Sequence, residues 1–99
     1  MPKIEEELDF ALALEEPRMF KVLLHNDDYT SMEFVVGILI NVFHKSQLES
    51  EQVMFQIHEA GKAICGVYTL EIAQTKVQQV KTQAKKSEFP LLATLEEDV

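Results

Sequence analysis

The strongest constraint on the fold of this chain is a short polar turn that separates a strand pattern from a helix pattern. Residues 19–24 alternate loosely around Lys21, with Phe20, Val22 and Leu24 on one face, which indicates a β-strand. Residues 26–28 (Asn-Asp-Asp) then end the strand, because Asn and Asp side chains hydrogen-bond to nearby backbone groups in turns. Thr30-Ser31-Met32-Glu33 matches a capping box, which predicts Thr30 as the N-cap of a helix.

The rest of the chain repeats such start and stop signals. Ser46 and Glu49 form a second capping box, and Gly61 is placed to end the helix that follows. Thr69 is placed to begin a third helix, whose predicted buried stripe includes Ile72. The predicted elements are strands over 19–24, 62–68 and 89–95, and helices over about 31–44, from Ser46 to Gly61, and from Thr69 to Lys86. The sequence therefore predicts an α+β domain in the order β-α-α-β-α-β, with a three-stranded sheet covered by three helices.

The first predicted helix has an unusual residue in its middle. Its apolar residues form stripes on two faces, so we expect it to be sandwiched between other elements. Gly37 lies inside this pattern, where glycine costs about 1 kcal/mol relative to alanine. We expect close packing against a neighbouring element to explain the glycine.

Length and composition narrow the class of protein. The 99 residues, of which 46% are hydrophobic, suffice for a single domain with one modest core. The single cysteine excludes an internal disulfide and fits a reducing cytosol. The net charge of −8 disfavours nucleic acid and anionic membranes as partners. We expect a cytoplasmic monomer with a mobile acidic arm over residues 1–17 and a core domain over 18–97.

Catalytic and metal-binding readings find little support in the residues. His58 with Asp27 or Asp28 would be an acid–base pair, but no nucleophile elbow or glycine-rich phosphate loop accompanies it. Cys65 lies in an apolar strand pattern, where cysteine behaves as a buried hydrophobe. The Asp27, Asp28, His25 and His58 set matches neither a calcium loop nor a zinc site. We therefore expect no enzyme, no metal and no cofactor, and exposed, unremarkable side chains at His25 and His44.

His58 leaves two interpretations open. It follows Met54 by one helical turn, so it faces either the core or a cleft. In the first interpretation it is a partly buried histidine bonded to a backbone carbonyl. In the second it meets the turn at 26–28 and forms a cluster of hydrogen-bond acceptors above an apolar hollow. That cluster would suit an ammonium group attached to a hydrophobic side chain, such as a free peptide N-terminus.

Three stretches of the sequence resemble one known family. The run 26–35 (NDDYTSMEFV), the run 58–67 (HEAGKAICGV) and the run 90–96 (PLLATLE) are similar to motifs of the ClpS adaptors. Members of that family recognise N-degrons in bacteria and serve the ClpA unfoldase. The resemblance covers about residues 18–97 in order, and the N-terminal arm shares only its acidic character.

The resemblance implies a function and a set of site residues. The family delivers proteins that begin with Leu, Phe, Tyr or Trp to the ClpAP protease, without catalysis of its own. Met32 matches the gatekeeper that excludes β-branched first residues. The implied α-amino-binding residues are Asn26, Asp27 and His58, with Asp28 and Thr30 around the rim; the implied side-chain pocket is Met32, Val35, Met54, Ile57 and Leu91; the implied docking residues for the ClpA N-terminal domain are Glu71 and Lys76.

The sequence departs from the family pattern at three positions. Ser31 replaces a common proline, Ile57 stands where valine is frequent, and His25 stands where an apolar residue is usual. The extra methylene of Ile57 leaves the preference among Leu, Phe, Tyr and Trp open. A generic protein-interaction domain of the same fold, which binds a helix or a ribosomal partner, is the alternative function, because fold alone does not decide between the two.

Overall fold

Six helices and strands order most of residues 17–99, the part of the chain that the computed structural model describes. The predicted arm over residues 1–17 lies, apart from Pro17, outside this part. The elements are β1 (Met19–His25), α1 (Met32–Asn41), α2 (Gln47–Ala60), β2 (Lys62–Thr69), α3 (Leu70–Lys86) and β3 (Leu92–Glu97). They confirm the α+β class and the order β-α-α-β-α-β.

The alternating apolar segment at the start of the described chain forms the central strand of the sheet. The strand order is β2-β1-β3, and β1 pairs antiparallel with both neighbours. Leu24 of β1 lies opposite Ala63 of β2 and Ala93 of β3, and its side chain is fully buried. The pairing of β1 with β2 shifts between Val22 and Leu23, where β2 carries one extra residue. The first predicted strand is thus the one with partners on both sides.

The extra residue of β2 is Cys65, and it lies in the core. Its side chain is buried, and this burial raises the pKa of the Cys65 thiol to about 12. The thiolate is therefore negligible at neutral pH, and Cys65 acts as a small hydrophobic residue, as its sequence context predicts.

The helices contribute narrower buried stripes than the sequence predicts. The buried residues of α3 are Ala73, Val80 and Ala84, with Val77 partly buried between them. Ile72 was expected in this stripe, but it is 48% exposed. The prediction was wrong because residue 72 lies about 100° around the helix from residue 73, beyond the edge of a stripe spaced by three and four residues.

Two predicted helix ends also differ from the structure. The N-cap of α1 is Ser31, whose Oγ accepts a hydrogen bond from the Phe34 amide at 3.1 Å. The capping box centred on Thr30 is therefore wrong, because the Thr30 hydroxyl donates to Asp27 instead. At the other end, α1 stops at Asn41 and not near His44. The chain reverses there, with His44 at a φ of 57°.

The last strand begins later than predicted. Phe89 was assigned to this strand, but its ring packs against Phe34 with the ring centroids 4.9 Å apart. The strand runs over Leu92–Glu97 and occupies the predicted edge position beside β1. Pro90 precedes it, which fits the missing amide of proline.

Gly37 does not have the close neighbour that the sequence led us to expect. A Cβ atom built on Gly37 would meet no heavy atom within 4 Å. The space beside this glycine is open, and α1 and α2 border it.

Among the described residues, no helix is both long and apolar enough to cross a bilayer.

The two N-caps at Ser46 and Thr69 provide a matched test of capping. Ser46 and Glu49 make both hydrogen bonds of a capping box, whereas the Thr69 side chain makes no capping hydrogen bond. Ser46→Ala should therefore lower the free energy of unfolding by about 1 kcal/mol, and Thr69→Ala by a few tenths at most. Urea denaturation followed by circular dichroism measures both. Equal losses in the two variants would contradict the capping assignment.

Candidate functional site

One backbone hydrogen bond joins the turn after β1 to the end of α2. Gly61 ends α2 in the left-handed conformation, with a φ of 90°, which glycine adopts without steric cost. Its carbonyl oxygen accepts from the Asn26 amide at 2.8 Å. His58 occupies the last turn of α2. This bond therefore holds the polar turn next to the helix end that carries the histidine.

Within the turn, the Asp27 carboxylate organises the backbone. Its Oδ1 accepts from the amides of Tyr29 and Thr30 at 2.8 and 2.7 Å. Its Oδ2 accepts from the Thr30 hydroxyl at 2.7 Å. Both oxygens are thus engaged inside the turn.

The hydrogen bonds also set the ionisation of Asp27. Partial burial alone would raise the pKa of the Asp27 carboxyl, but the hydrogen bonds from Thr30 and Tyr29 outweigh it and hold the pKa below its ordinary value. The carboxylate is therefore charged throughout the physiological range.

A cavity of about 260 Å³ opens between this turn and the two helices. Its polar end carries an amide, two carboxylates and an imidazole, and its other walls are mostly apolar. The lining residues are Asn26, Asp27, Asp28, Thr30, Met32, Val35, Met54, Ile57 and His58. The structure thus brings together every residue predicted for the α-amino site and the side-chain pocket except Leu91. Leu91 is buried in the core and does not line this cavity.

The polar side chains of the cavity differ in their exposure and in whether they form hydrogen bonds within the protein. Asn26, Asp28 and His58 are exposed. Among the side-chain hydrogen bonds of residues 17–99, those of the turn converge on Asp27, and none uses the side chain of Asp28 or His58. His58 is therefore not the buried, carbonyl-bonded histidine of the first interpretation. It lies with Asn26 and Asp28 at the polar end of the cavity, as the second interpretation requires.

Val35 and Ile57 form a fixed part of the apolar wall, whereas the two methionines differ in exposure. Val35, Met54 and Ile57 are buried, and Met32 is 48% exposed. Met32 is also the first residue of α1. An unbranched, flexible side chain thus borders the cavity at its exposed side.

The predictions for the other histidines are half right. His44 is exposed, as expected. His25 is partly buried, and its Nε2 lies 2.7 Å from Thr94 Oγ1 across the β1–β3 pair, so the expectation of an unremarkable exposed side chain was wrong. The polar partner on the neighbouring strand is the reason. His25 does not line the cavity.

The two residues predicted to dock an unfoldase share a surface of α3. Glu71 and Lys76 border a shallow depression of about 310 Å³ together with the exposed side chain of Ile72. Lys76 Nζ donates to the Val42 carbonyl at 2.7 Å and lies 5.6 Å from the centre of the Tyr68 ring. Lys76 therefore has a defined position, and the Glu71 side chain is exposed.

Within residues 17–99, no group of three or more His, Cys, Asp and Glu side chains is arranged to hold a metal ion. Cys65, the candidate nucleophile, is buried with a raised pKa. The cavity chemistry is that of a binding site, with acceptors at one end and apolar walls beyond.

Comparison with known proteins shows which family the chain belongs to. The model of the family described as ATP-dependent Clp protease adaptor protein ClpS matches residues 15–94. The chain belongs to the ClpS family. It is 54% identical over 84 residues to the ATP-dependent Clp protease adapter protein ClpS of Oleidesulfovibrio alaskensis, which covers 85% of this chain and 81% of that one. It is 57% identical over 82 residues to that of Nitratidesulfovibrio vulgaris, with 83% and 82% covered.

A solved ClpS-family structure also resembles this one. The structure of Agrobacterium tumefaciens ClpS2 bound to L-phenylalaninamide superposes with a TM-score of 0.81 at 38% sequence identity. The match covers 84% of this chain and 100% of that one. Membership of the ClpS family makes this chain an adaptor of the Clp protease, and the fold predicted from the sequence is that of the family.

Sequence reasoning missed one feature of the ClpS-family site, namely that the first Asp of the turn is committed to its own backbone. The signal was present, because Asp27 and Thr30 are spaced as in turns whose Asp side chain accepts from residues two and three positions on. The capping-box pattern at Thr30 competed with this reading and obscured it.

The role of Thr30 in the turn can be tested by Thr30→Val, which removes the hydroxyl at nearly constant shape. The pKa of Asp27 should rise toward its ordinary value, as measured by carbon NMR titration of the carboxyl group. Because the folded-state pKa is lowered, Asp27 stabilises the fold fully above its unfolded-state pKa and loses this effect as the pH falls through the folded-state value. Because Thr30→Val would bring the folded-state and unfolded-state pKa values of Asp27 closer together, it should reduce the dependence of the free energy of unfolding on pH at acidic pH. An unchanged Asp27 titration would contradict the assigned hydrogen bond.

Proposed function

We propose that this ClpS-family protein is a non-enzymatic adaptor that binds N-degrons and delivers them to the ClpAP protease. It would recognise the free α-amino group and a bulky hydrophobic first side chain, namely Leu, Phe, Tyr or Trp. The observation that carries the proposal is the single cavity that combines exposed acceptors at one end with apolar walls beyond. The ligand of the Agrobacterium relative, L-phenylalaninamide, has the same two features: a free amine and a bulky apolar side chain.

The acceptors suit a protonated amine. An α-amino group has a pKa of about 7.7–8.0 and presents three N–H donors when protonated. The Asn26 carbonyl, the Asp28 carboxylate and a neutral His58 nitrogen are three acceptors at one end of the cavity. An internal peptide bond offers one N–H and no charge, which would leave acceptors unpaired at a cost of about 1–3 kcal/mol each. This mismatch would select for chain termini.

The two aspartates have different roles in this proposal. Asp27 uses both oxygens to hold the turn, so it positions its neighbours and contributes a fixed negative charge. Asp28 is exposed and has no partner among the hydrogen bonds of the described turn. We assign the direct ion pair with the substrate amine to Asp28, and the shaping of the site to Asp27. Loss of Asp27 would still abolish binding, because the turn would lose its central acceptor.

The apolar part of the cavity would take the first side chain. Full burial of a Leu or Phe side chain contributes roughly 1.5–3 kcal/mol, and a charge-assisted hydrogen bond contributes a similar amount. After the cost of association, an affinity on the order of micromolar is expected. Met32 and Met54 can adapt their flexible side chains to aliphatic and aromatic guests. The β-branched exclusion is assigned to Met32, which borders the pocket from its exposed side.

Delivery requires a second surface. We assign docking on the N-terminal domain of a ClpA-type unfoldase to the surface of Glu71 and Lys76. Its support is the combination of a free carboxylate, a lysine held by Val42 and an exposed apolar side chain, Ile72. None of its residues lines the 260 Å³ cavity beside Asn26, Asp28 and His58, which we call the amine cavity. Substrate and unfoldase would therefore bind at the same time.

The assignment of Asp28 can be tested with Asp28→Asn, which keeps the shape and removes the charge. Affinity for a Leu-initiated peptide should fall about tenfold or more, because a charge-assisted bond is lost. Fluorescence anisotropy with the free and the N-acetylated peptide measures this, and the acetylated peptide should not bind the wild type. Glu96→Gln, an exposed carboxylate on β3, is the matched control. Near-normal affinity in Asp28→Asn would refute the ion pair.

The gatekeeper assignment predicts a change in specificity for Met32→Ala. Removing this side chain should admit peptides that begin with Ile or Val while Leu peptides continue to bind. Because Met32 is half exposed, the fold should be retained. Titration calorimetry with Leu, Ile and Val peptides checks the prediction. If the variant still rejects Ile and Val, another residue sets the exclusion.

A further inference from the structure

A second cavity of about 630 Å³ lies on the other side of the methionines. It is a groove between α1 and α2, and it shares Met32 and Met54 with the amine cavity. We call it the α1–α2 groove. Its apolar surface includes Val36, Ile40 and Phe55, and Phe55 is 52% exposed. The groove therefore adjoins the amine cavity, and Met32 and Met54 form the wall between them.

Gly37 keeps the groove open. It lines the groove in the middle of α1, and no neighbour occupies the place of its missing side chain. A helical glycine that no packing contact requires is unfavourable for the helix itself. Its structural effect here is to leave empty the space that a large side chain such as leucine would fill. The backbone conformation at Gly37 does not require glycine, because its φ is not positive.

The dimensions and charges of the groove fit an extended peptide. From Met32 to Ile40 the helix rises about 12 Å, which is the length of three to four extended residues. Glu33 and Glu51 lie along its edges, and both are exposed. An apolar floor between carboxylates is complementary to an apolar side chain next to a Lys or Arg.

We propose that the substrate segment after the first residue binds in the α1–α2 groove. The inference rests on the proposed amine-binding function, because the chain enters the groove only if its first residue occupies the neighbouring cavity. The second residue would cross Met32, and an apolar residue at the third or fourth position would lie beside Gly37. A basic residue next to it would face Glu33 or Glu51. The substrate class is thus an N-degron with an apolar and basic segment directly downstream.

Three peptides separate this inference from the function on which it rests. The reference is Leu-Ser-Gly-Ser-Gly, which offers only the amine and the first side chain. The second is Leu-Ser-Leu-Lys-Gly and the third is Leu-Ser-Leu-Glu-Gly, all as C-terminal amides. The wild type should bind the second about tenfold more tightly than the reference, a ratio that corresponds to roughly 1.4 kcal/mol. The third peptide should gain less affinity over the reference than the second does. The difference in affinity between the second and third peptides should shrink at high salt.

Two substitutions at one position provide the structural test. Gly37→Leu should fill the groove and bring the affinity ratio of the second peptide to the reference close to one. Gly37→Ala is the matched control, because alanine raises the helix propensity at this position by a similar amount but leaves most of the groove open. The affinity ratio should therefore persist in this variant. Affinity for the reference peptide should be unchanged in both variants, and thermal unfolding should show both folded.

The possible outcomes are distinguishable. Equal binding of all three peptides by the wild type, or an unchanged ratio in Gly37→Leu, would overturn the groove proposal and leave amine binding intact. No binding of the reference peptide would overturn the proposed function itself. Amide NMR shifts at Ile40 and Phe55 locate the contact: they should change with the second peptide and not with the reference. If an unfoldase N-terminal domain changes the amide shifts of Ile40 and Phe55 and none of the peptides does, the groove would be reassigned to that partner.

Discussion

The site depends on one backbone hydrogen bond, from the Asn26 amide to the Gly61 carbonyl. It joins the end of the central strand to the end of α2, two places that are far apart in sequence. The left-handed conformation of Gly61 turns the chain so that its carbonyl is available to Asn26. Because the bond fixes the polar turn against the last turn of α2, the acceptors of the turn and His58 share one cavity. This contact between the turn and the helix end thereby sets the geometry of the cavity.

The neighbouring aspartates show how one turn can serve structure and binding together. Asp27 satisfies two amides and a hydroxyl, so the turn keeps its shape without a ligand. Preorganisation of this kind lowers the ordering cost that binding would otherwise carry. Asp28, one residue later, stays exposed with its charge available. Under the proposed function, Asp27 would shape the turn and Asp28 would pair with the substrate amine.

The elements could be predicted from the sequence because their signals are local, whereas most of the residues that line the cavity were implied by the resemblance to the ClpS adaptors. The period of β1, the Ser46 capping box and the stop at Gly61 are each encoded within a few residues, and the structure agrees with them. The errors arose where two local patterns compete or where the answer depends on tertiary contacts. Thr30 fits a capping box, yet its hydroxyl bonds Asp27. Leu91 was placed in the pocket by resemblance, yet it lies in the core.

Gly37 could not be interpreted from sequence at all, because a helical glycine has two opposite explanations. It either admits a close neighbour or leaves a space, and the choice requires the positions of residues distant in sequence. The structure shows open space bordered by Val36, Ile40 and Phe55. This space begins at Met32, the side chain that also borders the amine cavity. A rotation of Met32 would therefore alter both cavities at once, so under the proposed function this one side chain would couple selection of the first residue to contact with the following segment.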